Sequence, residues 1–296
     1  MSRFRIATRA SPLARWQAEH VASLLRATDR DLEVELVLMD TVADRRLDIP
    51  IAAIGGKGVF AKEVQAAVLD GRADVAVHSA KDLPSVTHPD LVIAAVPERG
   101  DPRDALVGST LGQLPLEARI GTGSIRRQAQ LANLRPDLVF EGLRGNMGTR
   151  LARAADLDAI VVAAAAFQRL GWADRLTEIL DPAVMVPQVG QGALAVECRA
   201  DDAERVTQLG AIEHTPSRRA VDAERGFLAE LGGDCDLPAG AYATTADDGT
   251  VTLDSLLASP DGVVMLRHRA TGDDPEGLGR ESAQHLLDHG GRELLA

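Results

Sequence analysis

The 296-residue sequence has few of the residues that mark several common protein classes. Its two cysteines, Cys198 and Cys235, are too few for a disulfide framework and fit a reducing compartment. Aromatic residues make up 3% of the chain, and three lysines stand against 29 arginines. The longest apolar run, AIVVAAAAF, is too short for a transmembrane helix. The amino-terminal MSRFRIATRA lacks the apolar core of a signal peptide, so we expect a cytoplasmic protein.

Several signatures of binding and catalysis are also missing. A net charge of −12 argues against general nucleic-acid binding. No HExxH, CxxC or clustered Cys/His pattern occurs, and His78 and His88 lack metal-ligand spacing, so we expect no metal site. There is no GxSxG elbow and no GxxxxGK[ST] loop, and GTGSIRR lacks the third glycine of a dinucleotide fingerprint. We therefore expect no nucleic acid and no membrane among the partners, and a nucleotide is a weak candidate ligand.

The amino-terminal part alternates short apolar strands with helices, which is typical of an α/β fold with a parallel sheet. Ser11 and Pro12 form a helix N-cap and a first-turn proline, and Gly71 ends the second helix. The predicted strands cover residues 3–8, 33–39 and 74–78, and the predicted helices cover 12–27 and 57–70.

Two patterns then recur along the chain. RIATRAS (5–11) and RIGTGS (119–124) each give a strand, a threonine, a serine and a helix. ADVAVHS (73–79) has a counterpart in LDAIVVAAA (157–165). The repetition predicts two similar α/β domains, the second starting near residue 98, that face each other across a cleft.

From about residue 215 the pattern changes. Thr215 and Pro216 begin a helix to Leu231, which is followed by the glycine-rich bend LGGDCDLPA with Cys235. AGAYATT, VTLDSLLAS and VVMLRHRA then predict three strands joined by turns, and a final helix covers 275–289. This part predicts a small α+β domain.

Arginines gather where strands give way to helices. Cations are disfavoured at a helix N-terminus, so Arg126 and Arg127 in a first turn require a compensating anion. Because arginine binds carboxylates in a bidentate manner, a ligand with several carboxylates or phosphates is one interpretation. Solvated surface charge is the alternative for any single arginine. The arginines on such loops are Arg9, Arg126, Arg127, Arg144 and Arg150.

Asp82 and Cys235 are further candidates. Asp82 follows a strand at the edge where α/β proteins bind ligands, so it could serve as a general acid or base, or pair with Lys81 in a turn. Cys235 lies between Asp234 and Asp236, which oppose thiolate formation and argue against a hydrolytic nucleophile. A thiol that reacts once with a strong electrophile and stays bonded remains compatible. Cys198, inside ALAVEC, is interpreted as a buried structural cysteine.

Ordered motifs cover nearly the whole chain: RIATRASPLARWQA, GGKGVFAKE, ADVAVHSAKDLP, DPRDA, GTGSIRRQAQL, LRGNMGTRL, VGQGALAVECR and the GGDC bend. The sequence closely resembles the hydroxymethylbilane synthase family, also called porphobilinogen deaminases. The resemblance implies an α/β protein with two domains like type II periplasmic binding proteins facing a cleft. It also implies a small C-terminal α+β domain with a three-stranded antiparallel sheet. The implied domains are 1–95 with 190–213, then 98–187, then 216–296, with crossovers at 94–98 and 187–191.

The resemblance implies a transferase that condenses four porphobilinogen molecules head to tail and releases ammonia at each step. The product is the linear tetrapyrrole hydroxymethylbilane, a haem precursor, and the family enzyme is a monomer. Its covalent dipyrromethane cofactor, built from two porphobilinogen units, would be attached to Cys235 by a thioether. Cys235 would thus anchor a primer and take no part in turnover.

The resemblance also assigns site residues. Asp82 is implied as the catalytic residue and as a cofactor contact. Besides Cys235 and Asp82, the implied cofactor-binding residues are Lys81, Thr122, Ser124, Arg126, Arg127, Arg144, Gly145 and Arg150. The implied substrate-binding residues are Arg9, Ser11, Gln17, Arg144, Arg150, Arg169 and Gln191. The polar, glycine-containing segment 41–57 corresponds to the family's lid over the cleft.

The chain departs from the family pattern at three places. TxGD in the lid becomes TVAD with Ala43, GTSS becomes GTGS with Gly123, and the bend before the cysteine ends in Gly233 and Asp234 instead of two glycines. Two rival functions stay open on the residues alone. One is a non-catalytic binding protein for an anionic solute, and the other is an enzyme with Cys235 as a recycling nucleophile.

Overall fold

The computed structural model describes residues 3–39, 61–232 and 237–295. The chain divides into two compact units, one formed by Met1–Arg99 with Ala193–Arg218 and the other by Gly100–Gly192 with Arg219–Ala296. In the described part of the chain, no helix is long and apolar enough to cross a membrane.

Thirteen strands are numbered in chain order through these residues. They are β1 Phe4–Arg9, β2 Val34–Met39, β3 Val75–Ser79, β4 Leu91–Ala95, β5 Asp104–Val107, β6 Arg119–Gly121, β7 Val139–Glu141, β8 Ala159–Ala163, β9 Glu178–Ile179, β10 Leu194–Arg199, β11 Ala239–Thr245, β12 Val251–Ala258 and β13 Met265–Gly272.

The helices follow the same order. They are α1 Pro12–Thr28, α2 Lys62–Leu69, α3 Ile125–Leu134, α4 Met147–Arg153, α5 Ala164–Arg169, α6 Ala203–Gly210, α7 Thr215–Glu230, α8 Pro275–Leu286 and α9 Arg292–Leu295. The Ser11 hydroxyl accepts a hydrogen bond from the Ala14 N–H, which confirms the predicted cap of α1. For the predicted helix 57–70, the structure describes a helix over Lys62–Leu69, and residues 57–60 lie outside the described ranges.

The first unit is built on a five-stranded sheet in the order β2-β1-β3-β10-β4. β1 pairs in parallel with β2 and β3, whereas β10 pairs antiparallel with β3 and β4. The parallel pairing predicted for the three amino-terminal strands is confirmed, whereas the antiparallel insertion of β10 was not predicted. The reason is the path of the chain: β10 follows the excursion through the second unit and starts at Leu194 opposite Ser79, the carboxyl end of β3.

The second unit contains the same arrangement. Its sheet has the order β7-β6-β8-β5-β9, with β6 parallel to β7 and β8, and β5 antiparallel to β8 and β9. β5 starts at Asp104 opposite Ala163, again at the carboxyl end of its neighbour. β6 and β8 correspond to β1 and β3, so the internal repeat predicted from the sequence is confirmed.

The carboxyl-terminal residues form the antiparallel sheet β11-β12-β13, covered by α7 and α8. The three strands match the predicted positions, β11 residue for residue. The predicted last helix ends early: α8 stops at Leu286, and the following turn has a non-helical Gly290 with φ of 105° before α9 begins. The α/β class with a C-terminal three-stranded antiparallel sheet is confirmed.

Cys198 lies on β10, an interior strand of the first sheet. It is fully buried among apolar side chains that include Val21, Leu25 and Val196. Burial raises the pKa of its thiol to about 11, with Asp202 and Glu197 adding to the effect. Such a thiol is unreactive at neutral pH, as expected for a structural cysteine.

Candidate active site

In the first unit, four of the predicted site residues line one pocket at the carboxyl edge of the sheet. Arg9 is the last residue of β1, and Asp82 ends a short 3-10 turn, Ala80–Asp82, directly after β3. Because β1 and β3 are parallel neighbours, their ends bring these groups to the same edge. Ser11 and Gln17 complete the polar lining from α1.

Hydrogen bonds fix the pocket wall. The buried Gln17 side chain donates from Nε2 to Ser79 Oγ at 2.8 Å and so ties α1 to the end of β3. Lys81 lies beside Asp82 in the 3-10 turn, and both are half-buried. The pocket thus contains one guanidinium, one carboxylate and neutral hydrogen-bonding groups, which suits a ligand with both an anionic and a cationic part.

A fifth lining residue, His78, was not predicted for the site. Its Nε2 lies 3.0 Å from Glu197 Oε2 on β10. Glu197 is fully buried and also accepts hydrogen bonds from Gln65 Nε2 at 2.9 and 3.2 Å. One signal of this cluster is visible in the sequence, namely a charged residue inside the otherwise apolar ALAVEC.

In the second unit, the predicted residues around GTGS cluster at the N-terminus of α3. The Ser124 hydroxyl accepts from the Arg127 N–H at 3.5 Å as the helix N-cap, and Thr122 Oγ1 accepts from the Ser124 N–H at 3.2 Å. A Cβ at Gly123 would lie 2.7 Å from the Leu143 carbonyl oxygen. A serine there, as in the family pattern, would have to displace this carbonyl.

Arg126 and Arg127 face into the protein, where they meet one buried carboxylate. Asp104 Oδ2 lies 2.8 Å from Arg126 Nη2, and Asp104 Oδ1 lies 2.7 Å from Arg127 Nη2. Burial alone would raise the pKa of Asp104, but the two guanidiniums and the Gln191 amide outweigh burial and hold it below its ordinary value. The compensating anion inferred from the sequence is therefore supplied internally, and contact of these two arginines with a ligand stays a prediction.

Gln191 and Arg169 are held by the same part of the second unit. Gln191 Nε2 donates to Asp104 Oδ1 at 3.0 Å and to the Pro102 carbonyl at 2.7 Å. Arg169 Nη2 donates to the Gly192 carbonyl at 2.6 Å, and burial lowers the pKa of its guanidinium to about 10, so it remains charged at neutral pH. Gly192 has φ of 85°, and a Cβ there would lie 2.6 Å from the Gly100 carbonyl oxygen, so the position favours glycine.

The predicted residues of LRGNMGTR form a compact turn before α4. Arg150 Nε donates to the Gly145 carbonyl at 2.9 Å, and Asn146 caps the helix by accepting from the Thr149 N–H. Gly145 has φ of 96°, a conformation that a side chain would strain. Arg144 and Arg150 are both half-buried in this turn.

A second pocket, wholly within the second unit, is lined in part by described residues that flank Cys235 in sequence. Ser124 and Arg126 line it together with Leu228 on α7 and Leu237, two positions after Cys235. Cys235 itself, the departure at Asp234 and the predicted lid 41–57 with Ala43 lie outside the described residues. Their assignments stay predictions.

Asp104 is the main functional candidate that the sequence analysis did not assign. Its motif DPRDA was part of the resemblance, but no role was given to it. An aspartate that opens the fully buried strand β5 is itself a signal, because an unpaired buried carboxylate is unfavourable. Its partners, however, could not be named from the sequence.

Comparison with known proteins gives concordant results. Residues 4–207 match the family model described as the porphobilinogen deaminase, dipyrromethane cofactor binding domain, and residues 219–288 match the porphobilinogen deaminase C-terminal domain. Curated porphobilinogen deaminases from Brevibacillus brevis, Chromobacterium violaceum and Nitratidesulfovibrio vulgaris are 42%, 46% and 44% identical. Each alignment covers 100% of this chain and 97%, 98% and 97% of the respective relative. The chain therefore belongs to the porphobilinogen deaminase family and contains its dipyrromethane cofactor binding domain.

Proposed function

We propose that this chain is a hydroxymethylbilane synthase, which condenses four porphobilinogen molecules head to tail and releases ammonia at each addition. Hydrolysis then frees the linear tetrapyrrole from the enzyme. The observation that carries the proposal is the pocket that places Asp82 beside Arg9, Ser11 and Gln17. Its groups complement a pyrrole that has both an ionised amine and carboxylate side chains.

In this proposal, the residues of the first unit bind and orient the incoming substrate. Arg9 pairs with an acetate or propionate, with Ser11 and Gln17 as neutral donors. The Asp82 carboxylate stabilises the positive charge that develops as the amine leaves, and one of its oxygens accepts the proton that coupling releases from the pyrrole carbon. Arg144, Arg150, Arg169 and Gln191 are proposed as further substrate contacts.

The donor set of the second unit fits a dipyrromethane with several carboxylates. The hydroxyls of Thr122 and Ser124 and the guanidiniums of Arg144 and Arg150 provide the required donors, and Gly145 lets backbone approach a ligand closely. Arg126 also lines a pocket with Leu237, and the single Asp104 carboxylate that pairs with Arg126 and Arg127 leaves a net positive charge in this cluster. Lys81 and Asp82 are the proposed contacts from the first unit, and Cys235 is the proposed thioether anchor. When bound, this group supplies the pyrrole end to which new units are added.

We further propose that the enzyme acts as a monomer in the cytoplasm, with porphobilinogen as its small-molecule substrate. Three domains are proposed, at 1–95 with 190–213, at 98–187 and at 216–296. The third would carry the anchoring bend.

The test is intact mass spectrometry together with turnover. The purified wild-type chain, incubated with porphobilinogen, is expected to show an added mass of two deaminated pyrrole units and to release ammonia. Cys235→Ser should lack the added mass, whereas Cys198→Ser, which changes the other cysteine, should retain it. A wild-type chain that gains no mass and consumes no porphobilinogen would contradict the proposal and favour a binding protein.

A further inference from the structure

A buried polar cluster lies directly behind the Asp82 pocket in the first unit. It consists of Glu197 on β10, His78 on β3 and Gln65 on α2, which are 0%, 6% and 8% exposed. Glu197 Oε2 lies 3.0 Å from His78 Nε2, and the Gln65 amide donates to both carboxylate oxygens. His78 is the member of the cluster that also lines the pocket.

The antiparallel course of β10 creates the cluster. His78 pairs with Ala195, which places Glu197 two residues further along β10 on the same face of the sheet. That face is covered by α2, which brings Gln65 over the carboxylate, whereas Cys198 points to the opposite face.

If its only role were to stabilise the fold, the cluster would be an unfavourable arrangement. A buried carboxylate loses its hydration, and an apolar residue of similar size at position 197 would avoid this loss. Polar groups buried next to a ligand pocket are a common sign of a functional site.

The chemistry of the imidazole ring suggests what the cluster does. The nitrogen that faces the Glu197 carboxylate must carry a hydrogen, because the carboxylate is an acceptor. A hydrogen on Nε2 would let Glu197 restrain the orientation and tautomer of this pocket-lining ring.

We propose that His78 is a further ligand-contacting residue of the Asp82 pocket and that Glu197 is its positioning residue. The inference rests on the proposed condensation reaction, because it assigns these residues to the pocket in which that reaction takes place. Glu197 acts on the ligand only through the His78 ring, so the two residues form one functional unit.

The experiment compares Glu197→Gln, His78→Gln and the double variant as full-length, cofactor-loaded proteins. Glu197→Gln keeps the shape and removes the charge, whereas His78→Gln keeps an N–H donor for Glu197 and removes the ring. Cys198→Ala is the matched control, since it alters the same strand on the opposite face. Intact mass establishes cofactor loading, and thermal unfolding establishes folding.

We expect each single variant to lose about tenfold or more in kcat with KM within about threefold, and the double variant to be no worse than His78→Gln. Cys198→Ala should keep the wild-type kcat. In ¹⁵N NMR of histidine-labelled protein, the signal that is missing from His78→Gln should shift when porphobilinogen is added and should also shift in Glu197→Gln.

Three results would overturn the inference. The first is a cofactor-loaded Glu197→Gln variant whose kcat is within twofold of wild type. The second is a double variant in which the kcat losses of the two single variants multiply. The third is a His78 NMR signal that shifts neither on addition of porphobilinogen nor in Glu197→Gln. If Glu197→Gln does not fold, His78→Gln decides: an unchanged kcat overturns the inference, and a tenfold loss in folded, loaded protein supports it. Turnover by wild type and Cys198→Ala establishes the proposed function independently of these outcomes.

Discussion

Replacement of Asp104 by asparagine tests the internal charge balance of the second unit. Asp104 is fully buried, and its carboxylate lies 2.8 Å from Arg126 and 2.7 Å from Arg127, themselves 2% and 6% exposed. Removal of one partner of a buried ion pair costs about 3–5 kcal/mol, because the remaining charge stays buried without compensation. Here two guanidiniums lose the same anion, so we expect Asp104→Asn to lose about 5 kcal/mol of unfolding free energy.

Tryptophan fluorescence during urea unfolding measures this loss. The chain has two tryptophans, Trp16 in the first unit and Trp172 in the second, where it packs edge-on against Phe167. In a Trp16→Phe background, the signal reports the second unit alone. With a slope of about 2 kcal/mol per molar urea, Asp104→Asn should lower the midpoint by roughly 2.5 M.

The matched control is Glu276→Gln, which removes an exposed helical ion pair with Arg280 in the same unit. Its midpoint should stay within error of the parent, because exposed pairs contribute little. If Asp104→Asn shifts the midpoint no more than this control, the buried carboxylate does not stabilise the two guanidiniums and the reasoning is refuted.

The pH dependence gives a second check on Asp104. Its folded pKa lies below the ordinary value, so the folded state binds fewer protons than the unfolded state. The stability from Asp104 is therefore complete above the unfolded pKa near 4 and is lost as the pH falls toward the folded pKa. Asp104→Asn should show a weaker loss of stability below about pH 4 than the parent.

Three further predictions concern catalysis, backbone geometry and histidine titration. Asp82→Asn should lower kcat at least about a hundredfold while keeping its cofactor mass and melting temperature; near-normal kcat would contradict the assignment. Gly192→Ala should lower the melting temperature, because φ is 85° and the added Cβ would lie 2.6 Å from the Gly100 carbonyl oxygen. The matched variant Gly210→Ala in α6 adds a Cβ that meets no atom within 4 Å, so its melting temperature should be unchanged or higher. The pKa of His268 is lowered by burial and by His285 and His289, which form a stack with it, so stability should fall as the pH drops through about 6.5. Thermal unfolding at several pH values should show a melting temperature that depends less on pH in His268→Gln than in the parent. An identical pH dependence in the two proteins would contradict this prediction.

Much of the candidate site was predictable because its signals are local. Ser11 and Ser124 cap helices at positions that the sequence indicates, and Asp82 follows a strand recognisable from its apolar run. The two carboxyl-edge loops that contain Arg9 and Ser124 were expected from the repeated strand, threonine and serine pattern. Each of these signals depends on residues only a few positions apart.

The direction in which the arginines point was not predictable. The sequence correctly indicated that Arg126 and Arg127 need a nearby anion. A carboxylate of the ligand and a carboxylate of the protein, however, meet this need equally well. Asp104 is the partner only because β5 runs antiparallel beside β8 and starts at the edge where α3 begins. Strand order is a long-range property, and no local pattern encodes it.

By itself, the sequence determined many of the helices and strands, the internal repeat, the C-terminal three-stranded sheet and the family. Those features follow from apolar periodicity, capping residues and ordered motifs along the chain. Only the tertiary structure decided that β10 runs against its neighbours and that Glu197 meets Gln65, 132 positions away, behind the Asp82 pocket. The physical reason is that a buried charge is satisfied by whichever groups the fold brings within about 3 Å, and that choice is made by the topology of the sheet.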